Sequence, residues 1–209
     1  MSHTYQRDGA AIYRESFAII RAEADLSGFP HHLERVVVRM IHACGMTDLA
    51  KYVSASPGFA EIGMRALRDG APILCDSAMV ANGITRSRLP TDNEVLCTLQ
   101  DPLTRGLAAK LQTTRSAAAL ELWRDKLAGA IVVIGNAPTA LFRLLDMLAE
   151  GAARPSIIIG IPVGFVGAAE SKAALQEHGA DFPHLTVVGR RGGSAIAAAA
   201  VNALASEEE

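Results

Sequence analysis

Ile131-Val132-Val133-Ile134 runs directly into Gly135-Asn136-Ala137-Pro138-Thr139, and the same pattern returns where Ile157-Ile158-Ile159 precedes Gly160-Ile161-Pro162-Val163-Gly164. Both apolar runs are continuous rather than alternating, as expected of strands covered on both faces, and so of the centre of a parallel sheet. Working outward, Ile73-Leu74-Cys75, Val95–Leu99 and Leu185–Val188 are further short apolar runs; with Ala130–Ile134 and Ser156–Ile161 they make about five strands. Thr114–Leu127, Ala140–Glu150 and Ala168–Gly179 separate the last four and are long enough for the helical crossovers that parallel strands require. The expected fold is α/β, a three-layer α/β/α arrangement with a mostly parallel sheet.

Helices precede the sheet. One is expected over about Ala10–Ala24, a second, after the break at Ser27-Gly28-Phe29-Pro30, over about Pro30–Ala43, and a third after Gly58 with Ile62, Ala66 and Leu67 on one face. A last helix, about Ala195–Ala205, follows Gly192-Gly193-Ser194, where Ser194 is placed to cap its free amides, and Ser206-Glu207-Glu208-Glu209 reads as a frayed tail. The 209 residues show no repeat and no linker, so one domain is expected over 1–209.

Composition narrows the function. Half of the residues are hydrophobic, enough to build a core without disulfide or metal. The 20 basic and 22 acidic residues leave a net charge of −2, which gives no basic field for nucleic acid. Met1–Arg14 lacks the apolar run of a secretion signal, and no stretch approaches the ~20 apolar residues of a membrane span. A cytoplasmic protein without membrane partners is expected. Cys44, Cys75 and Cys97 form no CxxC pair and read as small buried thiols.

In open parallel sheets ligands gather at the carboxyl ends of strands, and here Gly135–Thr139, Gly160–Gly164 and Gly189-Arg190-Arg191-Gly192-Gly193-Ser194 let backbone approach a ligand closely. No G-x-x-x-x-G-K-[ST] occurs, and the first strand ends in Cys75-Asp76-Ser77 rather than G-x-G-x-x-G, so nucleotide readings are poor. Arg35, Arg39 and His42 share one stripe of the second helix, opposite Val36, Val37, Met40 and Ile41. An arginine fork holds carboxylates and an imidazole exchanges protons near neutrality, although a solvated polar face has the same spacing. His3, His31, His32, His178 and His184 show no metal-ligand spacing. Thr113-Thr114-Arg115-Ser116 opens a helix with hydroxyls to cap it and Arg115 to meet an anion; Ser16, beside Ile12 and Ile19, reads first as a buried serine bonded to its own backbone.

Four segments carry a family resemblance: Arg39-Met40-Ile41-His42-Ala43-Cys44-Gly45, Asp76-Ser77-Ala78-Met79-Val80, Gly135-Asn136-Ala137-Pro138-Thr139-Ala140-Leu141, and Pro162-Val163-Gly164-Phe165-Val166-Gly167-Ala168-Ala169-Glu170-Ser171-Lys172. The chain resembles precorrin-8X methylmutases from about Glu15 to Leu204. The resemblance implies a shift of the C-11 methyl of precorrin-8X to C-12, giving hydrogenobyrinic acid in aerobic cobalamin synthesis, with no cofactor and no metal. It implies His42 as proton donor and acceptor, substrate contacts at Ser16 and Arg39, and a homodimer with pockets near its interface and possible hand-over to other corrin-pathway enzymes. Thr85, Asn136, Gly164 and Lys172 are further expected substrate contacts. Arg39, Arg115 and Arg190 suit the acetate and propionate arms of a corrinoid, which charge-assisted bonds fix while apolar walls hold the ring. A cobalt-precorrin-8 methylmutase, a non-catalytic corrinoid carrier and an S-adenosylmethionine methyltransferase are the competing readings.

Overall fold

A computed structural model describes residues 3–178 and 182–206. Gly9–Glu23 (α1) and His31–Cys44 (α2) lead to Val53–Ala55 (β1), Phe59–Arg68 (α3), Ile73–Cys75 (β2) and Ala78–Gly83 (α4). Val95–Leu96 (β3), Pro102–Lys110 (α5), Arg115–Ala119 (α6), Ile131–Ile134 (β4) and Pro138–Ala149 (α7) follow. Ile157–Gly160 (β5), Ala168–Glu177 (α8), His184–Val187 (β6) and Ser194–Ala205 (α9) complete the order. Gly179 and Glu207–Glu209, which close the expected crossover helix and the expected tail, lie outside the described residues.

The described strands form one six-stranded sheet in the order β1-β6-β5-β4-β2-β3, with β4 and β5 central as their continuous apolar runs require. Every pairing is parallel except β1 with β6. The expectation of about five strands falls one short: β1 is three half-buried residues, Val-Ser-Ala, at an edge, too short and too mixed to stand out as an apolar run. The third strand is shorter than expected, Val95–Leu96, and the expected helix over Thr114–Leu127 is the short α6 continued by a 3-10 stretch, Leu120–Lys126.

Alternation along the strands divides the core. Ile73, Cys75, Ile131, Val133, Ile157, Ile159, Leu185 and Val187 face a layer that holds α2, α3 and α9. Leu74, Val132, Ile134 and Ile158 face Leu120, Trp123 and the apolar side of α7. Helix α9 is apolar apart from Ser194 and Asn202, and correspondingly buried over Ile196–Val201 and at Ala203 and Leu204. Its alanines let neighbours approach closely: a Cβ on Gly83 at the end of α4 would lie 2.7 Å from the Ala198 Cβ. Ser194 does not cap this helix. Gly193 holds the N-cap position, and the Ser194 hydroxyl instead lies 3.3 Å from the Ser77 hydroxyl.

The loop after β4 is fixed by a carboxylate at the end of β2, the strand paired with it. The Asp76 oxygens accept the backbone N–H groups of Gly135 (3.0 Å), Asn136 (3.0 Å) and Ala137 (2.7 Å). Those amides lead into α7, whose own N-cap, Ala137, offers no side-chain acceptor and whose first residue, Pro138, has no N–H. An anion at that end is favoured by the helix dipole. Burial pushes the Asp76 carboxyl up, and the three amides oppose that push. Gly135 is needed there for space: a Cβ would sit 2.8 Å from Ala197 Cβ and 2.9 Å from Val80 Cγ2. Asp76→Asn replaces one acceptor oxygen by a donor that faces an amide, so it should cost about 1–3 kcal/mol in urea unfolding; an unchanged midpoint would mean that the loop is held by something else.

Candidate active site

Helix α2 buries Val36, Val37, Met40 and Ile41 against α9 and the sheet, which turns Arg39 and His42 toward α1. The stripe divides, however, since Arg35 Nη2 donates to the Ser206 carbonyl at 2.6 Å, past the end of α9. The half-buried His42 imidazole packs against two neighbouring rings of α1, Tyr13 at 5.2 Å and 31° and Phe17 at 5.1 Å and 62°. The Arg39 guanidinium stands over Phe17, 5.7 Å from the ring centre. Burial, first, and the Arg39 charge, second, hold the His42 pKa below the ordinary imidazole value of 6.5. The ring is therefore neutral in the free protein near pH 7.

A cleft of about 470 Å³ opens over this group, with Tyr13, Arg39, His42, Thr85, Arg88 and Asn202 on its walls. Ala195, Ala198 and Ala199 of α9 form its apolar floor. Asn202 ties the far wall: its Oδ1 accepts from the Thr85 amide at 2.8 Å and its Nδ2 donates to the Gly83 carbonyl at 2.9 Å. The cleft thus lies over the helical layer beside the carboxyl edge of the sheet, which it meets at Ala195, and not over the strand ends themselves.

Of the expected residues, His42, Arg39 and Thr85 line this cleft, and Ser16 stands half-buried on α1 between Tyr13 and Phe17 without lining it. The others gather at the carboxyl edge. Arg115 is exposed at the start of α6, where Thr114 caps and its hydroxyl meets that of Thr139 at 2.8 Å. Asn136 is exposed in the Asp76-held loop. Gly164 N–H donates to the Arg190 carbonyl at 3.3 Å, and the Arg190 guanidinium lies over Phe165 at 5.4 Å. Lys172 is buried, its Nζ donating to the Arg191 carbonyl at 2.6 Å, and burial pulls its pKa down to about 8. Its observed work is to hold the Gly189–Gly193 turn. That turn is fixed again by the Arg191 side chain, which meets Asp48 at 2.8 Å and covers Tyr52 at 4.7 Å.

Sequence reading missed Tyr13, Phe17, Arg88 and Asn202. Tyr13 and Phe17 stand four apart on α1 and could have been read as a same-face aromatic pair, but only packing shows that the face meets His42. Asn202 carried no signal within an alanine-rich helix.

Comparison with known proteins gives the family. The family model described as precorrin-8X methylmutase matches residues 11–207. A precorrin-8X methylmutase of Pseudomonas aeruginosa is 60% identical over 205 residues, covering 98% of this chain and 99% of the relative. A cobalt-precorrin-8 methylmutase of Methanothermobacter thermautotrophicus is 38% identical over 198 residues, covering 94% and 92%. The crystal structure of a precorrin-8X methylmutase from Thermus thermophilus superposes with a TM-score of 0.85 at 41% identity, covering 94% of this chain and 95% of that one. With the match running through both the α1–α2 cleft and the carboxyl-edge loops, this chain belongs to the precorrin-8X methylmutase family.

Proposed function

We propose that this chain isomerises precorrin-8X to hydrogenobyrinic acid, moving the C-11 methyl to C-12, with His42 as the acid–base residue. The observation that carries the reading is an imidazole packed against two aromatic rings, beside an arginine, in an open cleft with an apolar floor. The 60% identity is to a relative named for the metal-free substrate, which favours that substrate over the cobalt form. A carrier has no use for a titrating ring, so the site also favours catalysis over carriage.

The steps balance as an isomerisation. Substrate carboxylates that approach Arg39 offset its positive field and draw a proton onto His42. The imidazolium then protonates the conjugated ring at a nitrogen or carbon, which draws electrons toward the migration terminus. The C-11–methyl bond breaks as the C-12–methyl bond forms on the same face, and the proton returns to His42. Proton transfer of this kind contributes ~10²–10⁴-fold, and fixed orientation supplies more.

The remaining expected contacts suit an assembly. In one chain Arg115, Asn136, Gly164 and Arg190 do not share the His42 cleft, and beside Arg190 stand Phe165 and Val166, 83% and 90% exposed. A homodimer that covers those side chains and turns one subunit's carboxyl-edge loops toward the other's cleft would complete the site, with Ser16 reached from the α1 side. Exposed apolar side chains grouped on a loop are a feature of such interfaces. The product would then pass to the next corrin-modifying enzyme in the cytoplasm.

His42→Ala should lose turnover by at least about 10² while still binding the macrocycle, followed by the visible spectrum during incubation with precorrin-8X; near-normal turnover would remove His42 from the chemistry. NMR titration of the free protein should place the His42 midpoint below 6.5, so that the ring sheds its proton at lower pH than an exposed imidazole. Arg39→Gln should raise that midpoint only part of the way, because burial is the larger cause. A wild-type midpoint at or above 6.5 would contradict this electrostatic account.

A further inference from the structure

A second cavity, of about 550 Å³, adjoins the His42 cleft on the side of α1. The two meet at Tyr13 and Arg88, which line both. Arg14 and Arg21 stand on the walls of the second cavity, Phe17 forms its apolar side, and Arg39 lies across the junction in the cleft. Among the described residues that line the two cavities there is no Asp or Glu. Glu34 lies outside both and pairs with Arg21 at 3.3 Å. The charged side chains among the described linings are thus arginines, with one histidine, set beside apolar surface, a combination suited to anions that carry a large hydrophobic body.

Arg88 holds the junction from a fixed base. It ends the 3-10 turn Arg86–Arg88, its amide donates to the Thr85 carbonyl at 3.0 Å, and the Thr85 amide is held in turn by Asn202. The following Leu89 packs into the core. The half-buried Arg88 side chain thus leaves a braced backbone, and among the described residues it is the arginine that lines both cavities. A tetrapyrrole with several acid arms cannot keep every arm in the space around His42, and ligand pockets for smaller molecules already fill roughly 300–1,000 Å³.

We propose that Arg88 is a further substrate-contacting residue, which grips a peripheral carboxylate arm where it leaves the His42 cleft for the cavity along α1 and so fixes the rotation of the macrocycle over the imidazole. The proposal rests on the corrinoid reading above. A planar guanidinium takes a carboxylate through two parallel bonds, which sets the angle as well as the distance of the arm; a lysine at this position would supply only a point charge.

The test is a titration of hydrogenobyrinic acid into wild type, Arg88→Gln and Arg88→Lys, followed by visible absorbance at low and high ionic strength, with thermal melting as the folding control. Arg88→Gln should bind about tenfold to a hundredfold more weakly, with a shallower salt dependence, and Arg88→Lys should fall several-fold short of wild type. A macrocycle whose arms are capped as amides should bind wild type and Arg88→Gln alike. Wild-type affinity for the acid in a folded variant, Arg88→Gln or, should that not fold, Arg88→Lys, overturns the assignment and leaves the corrinoid reading standing. Wild type that neither binds nor converts the macrocycle overturns both.

Discussion

The burial of α9 between the sheet and α2 is the constraint from which the site follows. Ala197–Ala200 and Ala203, with Ile196, Val201 and Leu204, are enclosed, and small side chains on the outer surface let α4 close to contact distance at Gly83. With α2 seated on that helix through Val37, Met40 and Ile41, the opposite side of α2 has to face α1, and His42 and Arg39 go with it. The same helix supplies the cleft floor and, through Asn202, the brace for the wall opposite His42. Packing and site placement are one arrangement, so a change of volume along α9 would be felt as a change of distance across the cleft.

The electrostatics of the site have a direction. Burial and Arg39 both disfavour imidazolium in the free protein, whereas a polycarboxylate ligand favours it. If Arg39 takes the acid arms as proposed, substrate binding and protonation of His42 are linked, because the same guanidinium disfavours imidazolium while the arms are absent. The near balance of charge over the whole chain is no obstacle, because the arginines of the cleft and its neighbour act locally. The carboxyl-edge loops are organised by different means, with Asp76 holding Gly135–Ala137 from one side and Lys172 holding the Arg191 turn from another.

The fold was legible wherever one strand or helix had to be apolar in a distinctive period. The continuous runs at 131–134 and 157–159 indicated central parallel strands, and the helices over α1, α2, α7 and α9 were placed to within a few residues. Illegible were the elements stabilised by tertiary contact rather than by pattern. Strand β1 has no apolar period and exists by pairing with β6, while α4, a six-residue helix, relies on its Ser77 cap and on α9. At the site, Arg39 and His42 stood out because a polar stripe on an otherwise buried helix asks for an explanation. Tyr13 and Arg88 did not, because what makes them part of the cleft is the approach of α1 and of the turn after α4, and no local pattern encodes it.

The proposed chemistry requires the His42 ring to meet the macrocycle over the alanine floor of α9. A crystal structure with hydrogenobyrinic acid bound tests it most directly. An imidazole nitrogen should then lie within hydrogen-bond reach, about 2.6–3.2 Å, of the conjugated ring system near C-11 and C-12. A macrocycle bound elsewhere, or a His42 ring turned to bulk water with the corrinoid in place, would contradict it.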